Sequence, residues 1–225
     1  MDVRRAFEAH TGVGESPVWP AAALIAAAVL YADLPTRFIS GPGGGSFHVI
    51  RWIVPGLTLL VVASLGLMPV YGRITRRHLI IGTIALVSVA NAASIILLIH
   101  ALLHSTSTNA PQLLRVAVHM WLVNVLLFGL WYWQHDGGGP LARPSCPPAR
   151  RDFLFPQQLE PIFADSGWSP KFVDYLYVSF TNSTAFSPTD TMPLSRWAKM
   201  LMVVQSAISL ALAVMVVARA VTVLT

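Results

Sequence analysis

The sequence predicts an all-α membrane protein: five transmembrane helices, with a short re-entrant or interfacial helix before the last, in one integral membrane domain over residues 1–225. Three observations carry that expectation. Charged residues make up 11% of the chain, less than half of the roughly 25% found in soluble domains. Hydrophobic side chains make up 55% and mean hydropathy is +0.62, which excludes a disordered chain as well. Five apolar runs follow one another, and at roughly 20 residues per crossing they and their connections use the whole length, leaving no room for a separate catalytic domain.

The first run, about 17–32 (PVWPAAALIAAAVLYA), is alanine-rich and follows two acids, Glu8 and Glu15. No small-residue cleavage site follows it, so a span is expected rather than a cleaved signal peptide. Asp33 and Arg37, four apart across Pro35, read as an interfacial boundary. GPGGGS at 41–46 has neither a strand before it nor the Lys-Ser/Thr of a phosphate loop after it, so it is a flexible connector. The second run covers about 49–71 and the basic turn GRITRRH leads to the third, 79–103. HSTSTNAP separates that from the fourth, 113–133; a connector of about 60 residues, rich in Pro, Gly and charge, precedes the fifth, 200–224. Strand signals are absent, and helices satisfy their own backbone groups in lipid.

Arginine and lysine set the orientation. With five spans, one face holds Arg4, Arg5, Arg73, Arg76, Arg77, Arg143, Arg150, Arg151, Lys171, Arg196 and Lys199, eleven in all, against four (Arg37, Arg51, Arg115, Arg219) on the other. The positive-inside rule then puts the N-terminus in the cytoplasm and the C-terminus outside. The net charge of +5 sits in loops between apolar runs, so the expected partners are the bilayer and its anionic headgroups, not nucleic acid. Most tryptophans lie near span ends, where amphipathic rings favour the headgroup zone. Cys146 is the only cysteine, which excludes an intrachain disulfide and a thiolate metal cluster.

Chemistry concentrates in 169–193, with Lys199 beyond. Ser169 and Pro170 read as a helix start, and no Gly or Pro intervenes before about Thr184. Fifteen residues span about 22 Å, short of the roughly 30 Å of hydrocarbon, so this helix lies in the interface or dips and returns. Thr181, Ser183, Thr184, Ser187, Thr189 and Asp190 are the candidate lining of a hydrated path, Asp190 supplying negative field for a cation. Within the spans, Asn91 with Ser88 and Ser94 forms a small polar stripe suited to helix packing; His119 and Asn124, five apart, do not share a face. Gln205 and Ser209 line up on the last span, and Arg219 is expected to snorkel to the surface. His100 and His104 are one turn apart, but no third metal ligand is near and HExxH is absent. Six of the ten acids lie in the long connector, interleaved with bases, and read as a solvated loop. No catalytic residue, metal site or cofactor is expected.

The C-terminal 50 residues resemble the pore module of potassium channels: a short helix, a polar strip ending in acid, then proline, tryptophan, a basic residue and a final span. Ser179, Thr184, Asp190, Pro193 and Trp197 coincide with residues common there. The family's filter falls on Ala185, Phe186, Ser187, Pro188 and Thr189, without its two glycines, so the usual carbonyl ladder does not form. The resemblance implies a monovalent cation and a homotetramer. A second resemblance, carried by DYLYVSFTNSTAFSPTD, RRDFLFP and the five-span layout, is to a family of bacterial predicted membrane proteins of unknown function, and the expected location is the bacterial inner membrane. The expectation is therefore movement or gating of a small ion or solute; the alternative is a non-transporting assembly or sensor protein with a basic cytoplasmic loop.

Overall fold

In a computed structural model, residues 16, 18–33, 52, 55–60, 62, 73–104, 110–159, 162, 168–185 and 190–224 are described. The chain is mostly helical: α1 (Val18–Ala32), α2 (Arg73–His104), α3 (Ala110–His135), the four-residue α4 (Pro156–Leu159), α5 (Phe172–Ala185) and α6 (Arg196–Leu224). Three helices are long and apolar enough to cross a membrane, over Arg77–His100, Arg115–Gly138 and Arg196–Val217. The first expected span forms a helix on the expected residues, but its 15 residues rise only about 22 Å. The second, 49–71, lies mostly outside the described residues.

Two compact units are present, one of 1–20 with 128–206 and one of 21–127 with 207–225. In the second unit, Ile84, Val87, Asn91, Ser94 and Leu98 of α2 are buried at spacings of three and four, one stripe of a 3.6-residue helix. Val89 and Ile96, on the other side of α2, are exposed, as a lipid-facing surface requires. Asn91 is buried with its side-chain oxygen unpartnered among the described residues, Ser94 bonds back to the Ala90 carbonyl at 2.9 Å, and Tyr31 of α1 reaches Ser94. Asn124 of α3 donates to Ser209 of α6 at 3.2 Å. Asp33 Oδ2 lies 3.1 Å from His119 Nε2 of α3, while Arg37, expected with it at an interfacial boundary, lies outside the described residues.

The first unit has an aromatic core. Tyr132, Trp133, Phe153, Phe155, Phe172 and Tyr175 are all buried. Trp133 therefore belongs to this core, edge-on to Phe172 at 6.1 Å, and not to an interfacial belt; Trp197 keeps the belt character at 51% exposure. The all-helical expectation needs one correction. Phe153–Leu154 (β1) and Met192–Pro193 (β2) pair antiparallel, Phe153 opposite Pro193 and Leu154 opposite Met192. Proline is tolerated because this two-stranded ribbon is all edge. The ribbon ties the entrance of α6 to the connector that follows α3.

Candidate functional site

The connector is organised around a buried ion pair. α3 ends at His135, and Gly137, Gly138 and Gly139 follow with φ of 58°, 84° and 93°, a left-handed path that L side chains resist. That path folds the chain back: the Ala142 and Arg143 amides both donate to the Gly139 carbonyl, at 3.0 and 2.8 Å. Asp136 and Arg143 are thereby enclosed at 0% and 3% exposure. Asp136 Oδ1 accepts the amides of Asp152 (2.7 Å) and Phe153 (3.2 Å), and Oδ2 accepts the Tyr175 hydroxyl at 2.5 Å. Arg143 Nε lies 3.6 Å from Oδ2, Nη1 donates to the Pro170 carbonyl at 3.0 Å, and Nη2 donates to the Trp133 carbonyl. Its guanidinium also stands 4.7 Å from the centre of the Tyr175 ring.

One carboxylate thus gathers the end of α3, the start of β1 and the first turns of α5. A buried ion pair needs this saturation, because desolvation otherwise outweighs the Coulomb gain. Burial pushes the Tyr175 hydroxyl above its ordinary range; Arg143 opposes that shift and Asp136 reinforces it. Asp136 is therefore no part of a solvated loop, and Arg143 is not available to anionic headgroups. A backward cue was legible: acid, three glycines, then a base seven residues after the acid.

α5 begins at Phe172, later than the expected start at Ser169-Pro170, because the cap is different. Asp174, in the first turn, accepts the Lys171 amide at 2.7 Å, the returning half of a capping box. α5 then approaches α3 closely: a Cβ on Gly129 would lie 3.2 Å from the Leu176 Cα.

A second polar centre joins α5 to α6. Gln205 is fully buried; its Nε2 contacts the Ser179 carbonyl (2.9 Å), Ser179 Oγ (2.7 Å) and Ser183 Oγ (2.8 Å). Its Oε1 accepts from the Tyr132 hydroxyl (2.5 Å) and from Asn182 Nδ2 (3.0 Å). Asn182 also donates to the Met202 carbonyl at 3.0 Å, and Ser206 donates to Asn182 Oδ1 at 3.2 Å. Every polar atom of the Gln205 amide is engaged.

The four described residues of the expected lining, Thr181, Ser183, Thr184 and Asp190, do not share a face. Ser183 points into the Gln205 centre. Thr181 and Thr184 bond back to carbonyls of their own helix, at 3.0 Å to Tyr177 and 3.0 Å to Phe180, and Thr184 is exposed. Asp190 is exposed at the edge of an open depression of about 300 Å³, with Phe155, Gln157, Asp174, Tyr177 and Thr191 around it. Ser187 and Thr189 lie outside the described residues, as does the side chain of Arg219. Of the intramembrane polar group, Gln205 alone enters this unit's network, while Asn91, His119 and Asn124 belong to the other unit. A partner that sequence reasoning missed is Tyr132. Among the described residues, no group of three or more His, Cys, Asp or Glu side chains could hold a metal ion.

No known family, curated protein or solved structure matches this sequence.

Proposed function

We propose that this chain is an inner-membrane protein of a bacterium that moves or gates a small ion or solute, using α5, the segment after it and α6. The observation that supports this most is the Gln205 centre: a helix too short to cross, rich in hydroxyl and amide groups, held against a helix of spanning length by buried polar contacts. Intramembrane polar groups are costly and concentrate where solutes or ions are handled. Asp190 and Asp174, at the open depression, would place negative field at the approach of a monovalent cation. The likeness to a potassium-channel pore module points the same way and makes a homotetramer the expected assembly; the likeness to the bacterial five-span family bears on architecture alone. The arginine distribution supports a cytoplasmic N-terminus and an external C-terminus. No enzymatic activity is proposed.

The test is flux from liposomes holding the purified protein under potassium and sodium gradients, with Asp190→Asn alongside. Flux in the parent, reduced several-fold in Asp190→Asn, supports the reading; absence of flux in both removes it. A second reading has its own support. The Gln205 network is closed upon itself, and Arg150, Lys171, Arg196 and Lys199 are exposed, as a non-transporting sensor or assembly protein seated on an anionic leaflet would need. Absence of flux together with stable recovery of one partner protein supports that alternative.

A further inference from the structure

The depth of α5 follows from its neighbours within the unit formed by 1–20 and 128–206. Against the end of α3 it runs antiparallel: Phe172 faces Trp133 at 6.1 Å between ring centroids, and Leu176 faces Gly129, one turn further in. Along α6, Ser179, Asn182 and Ser183 lie against Met202, Gln205 and Ser206. Gln205 stands about 13 Å of helical rise from Arg196 and about 9 Å from Lys199, the inner of the two basic residues at that end of α6. Ala185 lies beyond that level, so α5 ends near the middle of a hydrocarbon core of roughly 30 Å. At Asp190 the chain is out again. Asp190 stands with Asp174 and Tyr177 around the open depression, and Met192 pairs with Leu154, whose neighbour Phe153 donates its amide to Asp136 just past the end of α3.

We infer that α5 is a re-entrant insertion, and that a water-filled crevice follows its outer face from the connector's side to about the middle of the bilayer. Backbone that reverses at such depth must be buried in protein or line water. The inner end of α5 is not buried: Thr184 and Ala185 are exposed, as are Tyr177 (49%) and Phe180 (48%) on the same face. A helix cannot satisfy its last four carbonyls by itself, and here they fall where lipid offers no donor. The opposite face of α5 is closed to water, since Tyr175, Ser179, Asn182 and Ser183 are buried. The mouth of the crevice is the depression of about 300 Å³, where Asp174 and Asp190 set a negative field. Clefts lined by one sign of charge concentrate the opposite ion, so the crevice admits water and small cations in preference to anions. The inference stands whether or not the chain conducts.

Thiol accessibility of the full chain in sealed vesicles of both orientations tests this. The native Cys146 first shows which orientation exposes the connector. In a Cys146→Ser background, Thr184→Cys is then treated with membrane-impermeant methanethiosulfonates, one cationic and one anionic, and compared with Val203→Cys, a 59% exposed α6 position at the depth of the Gln205 centre. The thiolate is the reacting species and apolar surroundings suppress it, so Thr184→Cys is expected to react about tenfold or more faster than Val203→Cys, from the Cys146 side only. The cationic reagent should lead the anionic one several-fold, and Asp190→Asn should narrow that lead. Equal, slow reaction at both positions overturns the crevice in favour of lipid. Spontaneous disulfide-linked dimers of Thr184→Cys with slow labelling overturn it in favour of a second copy. Reaction from the opposite side overturns the insertion. Ala185→Cys carries the same test should Thr184→Cys not fold, and no outcome depends on flux.

Discussion

Replacing Asp136 by alanine removes the acceptor around which the connector is built, and the structure allows the loss to be sized. Arg143, 3% exposed, would keep its charge with no carboxylate beside it, and breaking a buried pair from one side costs about 3–5 kcal/mol. The amides of Asp152 and Phe153 and the Tyr175 hydroxyl would lose the same partner, each worth about 1–3 kcal/mol when buried. These losses share one carboxylate and overlap, so the expected total is about 4 kcal/mol or more. Reversible unfolding of the purified protein in denaturing mixed micelles measures it. Cys146 reports the same event locally, because a Cβ at position 137 would stand 3.3 Å from the Cys146 Cβ, and its maleimide labelling should accelerate in Asp136→Ala. Removing both charges, as Asp136→Leu with Arg143→Met, should lose less than the two single changes summed, by about 1–3 kcal/mol. A single-variant loss under about 1 kcal/mol, or strict additivity, would refute the reasoning.

Tyr175 makes stability fall in alkali: its hydroxyl is raised in the folded chain, so above about pH 10 the unfolded chain releases a proton that the folded one retains, at up to about 1.4 kcal/mol per pH unit. Unfolding scans from pH 9 to 11 should show that decline, flattened in Tyr175→Phe. Gln205→Met keeps the volume and abandons five polar contacts, which at about 0.6 kcal/mol each inside a membrane comes to about 3 kcal/mol in the same unfolding assay. Gly129→Leu should displace α5, since even a Cβ there meets the Leu176 backbone at 3.2 Å; the expected loss is about 1–3 kcal/mol, with Gly129→Ala far milder because alanine favours the helix. Gly139→Ala combines a φ of 93° with a Cβ 2.9 Å from the Gln134 carbonyl, and should cost about 1–3 kcal/mol in thermal stability.

Helical class, the three long helices and the short helix at 172–185 were legible because each depends on local composition and length. The bounds of α1 follow from an alanine-rich run, and those of α5 from the absence of Gly and Pro. Less local features escaped. Asp136 looks like any loop acid until Arg143, Asp152 and Tyr175 are placed around it, and no periodicity links positions 7, 16 and 39 residues away. The β1–β2 pair is two residues long on each side, too short for an alternation to register. The hydroxyls of 181–184 divide for a different reason. Hydroxyl-rich sequence does not say which hydroxyls face outward, and helical spacing turns Ser179, Asn182 and Ser183 toward Gln205 while Thr181 and Thr184 recycle their own carbonyls.

The spacing of Asp136's partners also carries a timetable. A ribosome delivers Arg143 seven residues after Asp136, the Asp152 and Phe153 amides at 16 and 17, and the Tyr175 hydroxyl at 39. Short loops close at little entropic cost, and each closure shortens the next. The carboxylate can therefore fill its bonding sites in the order of synthesis, beginning before α6 has been made. β2 arrives last and zips onto a β1 already held at its amides, so the final helix enters a fold whose docking edge has been prepared in advance.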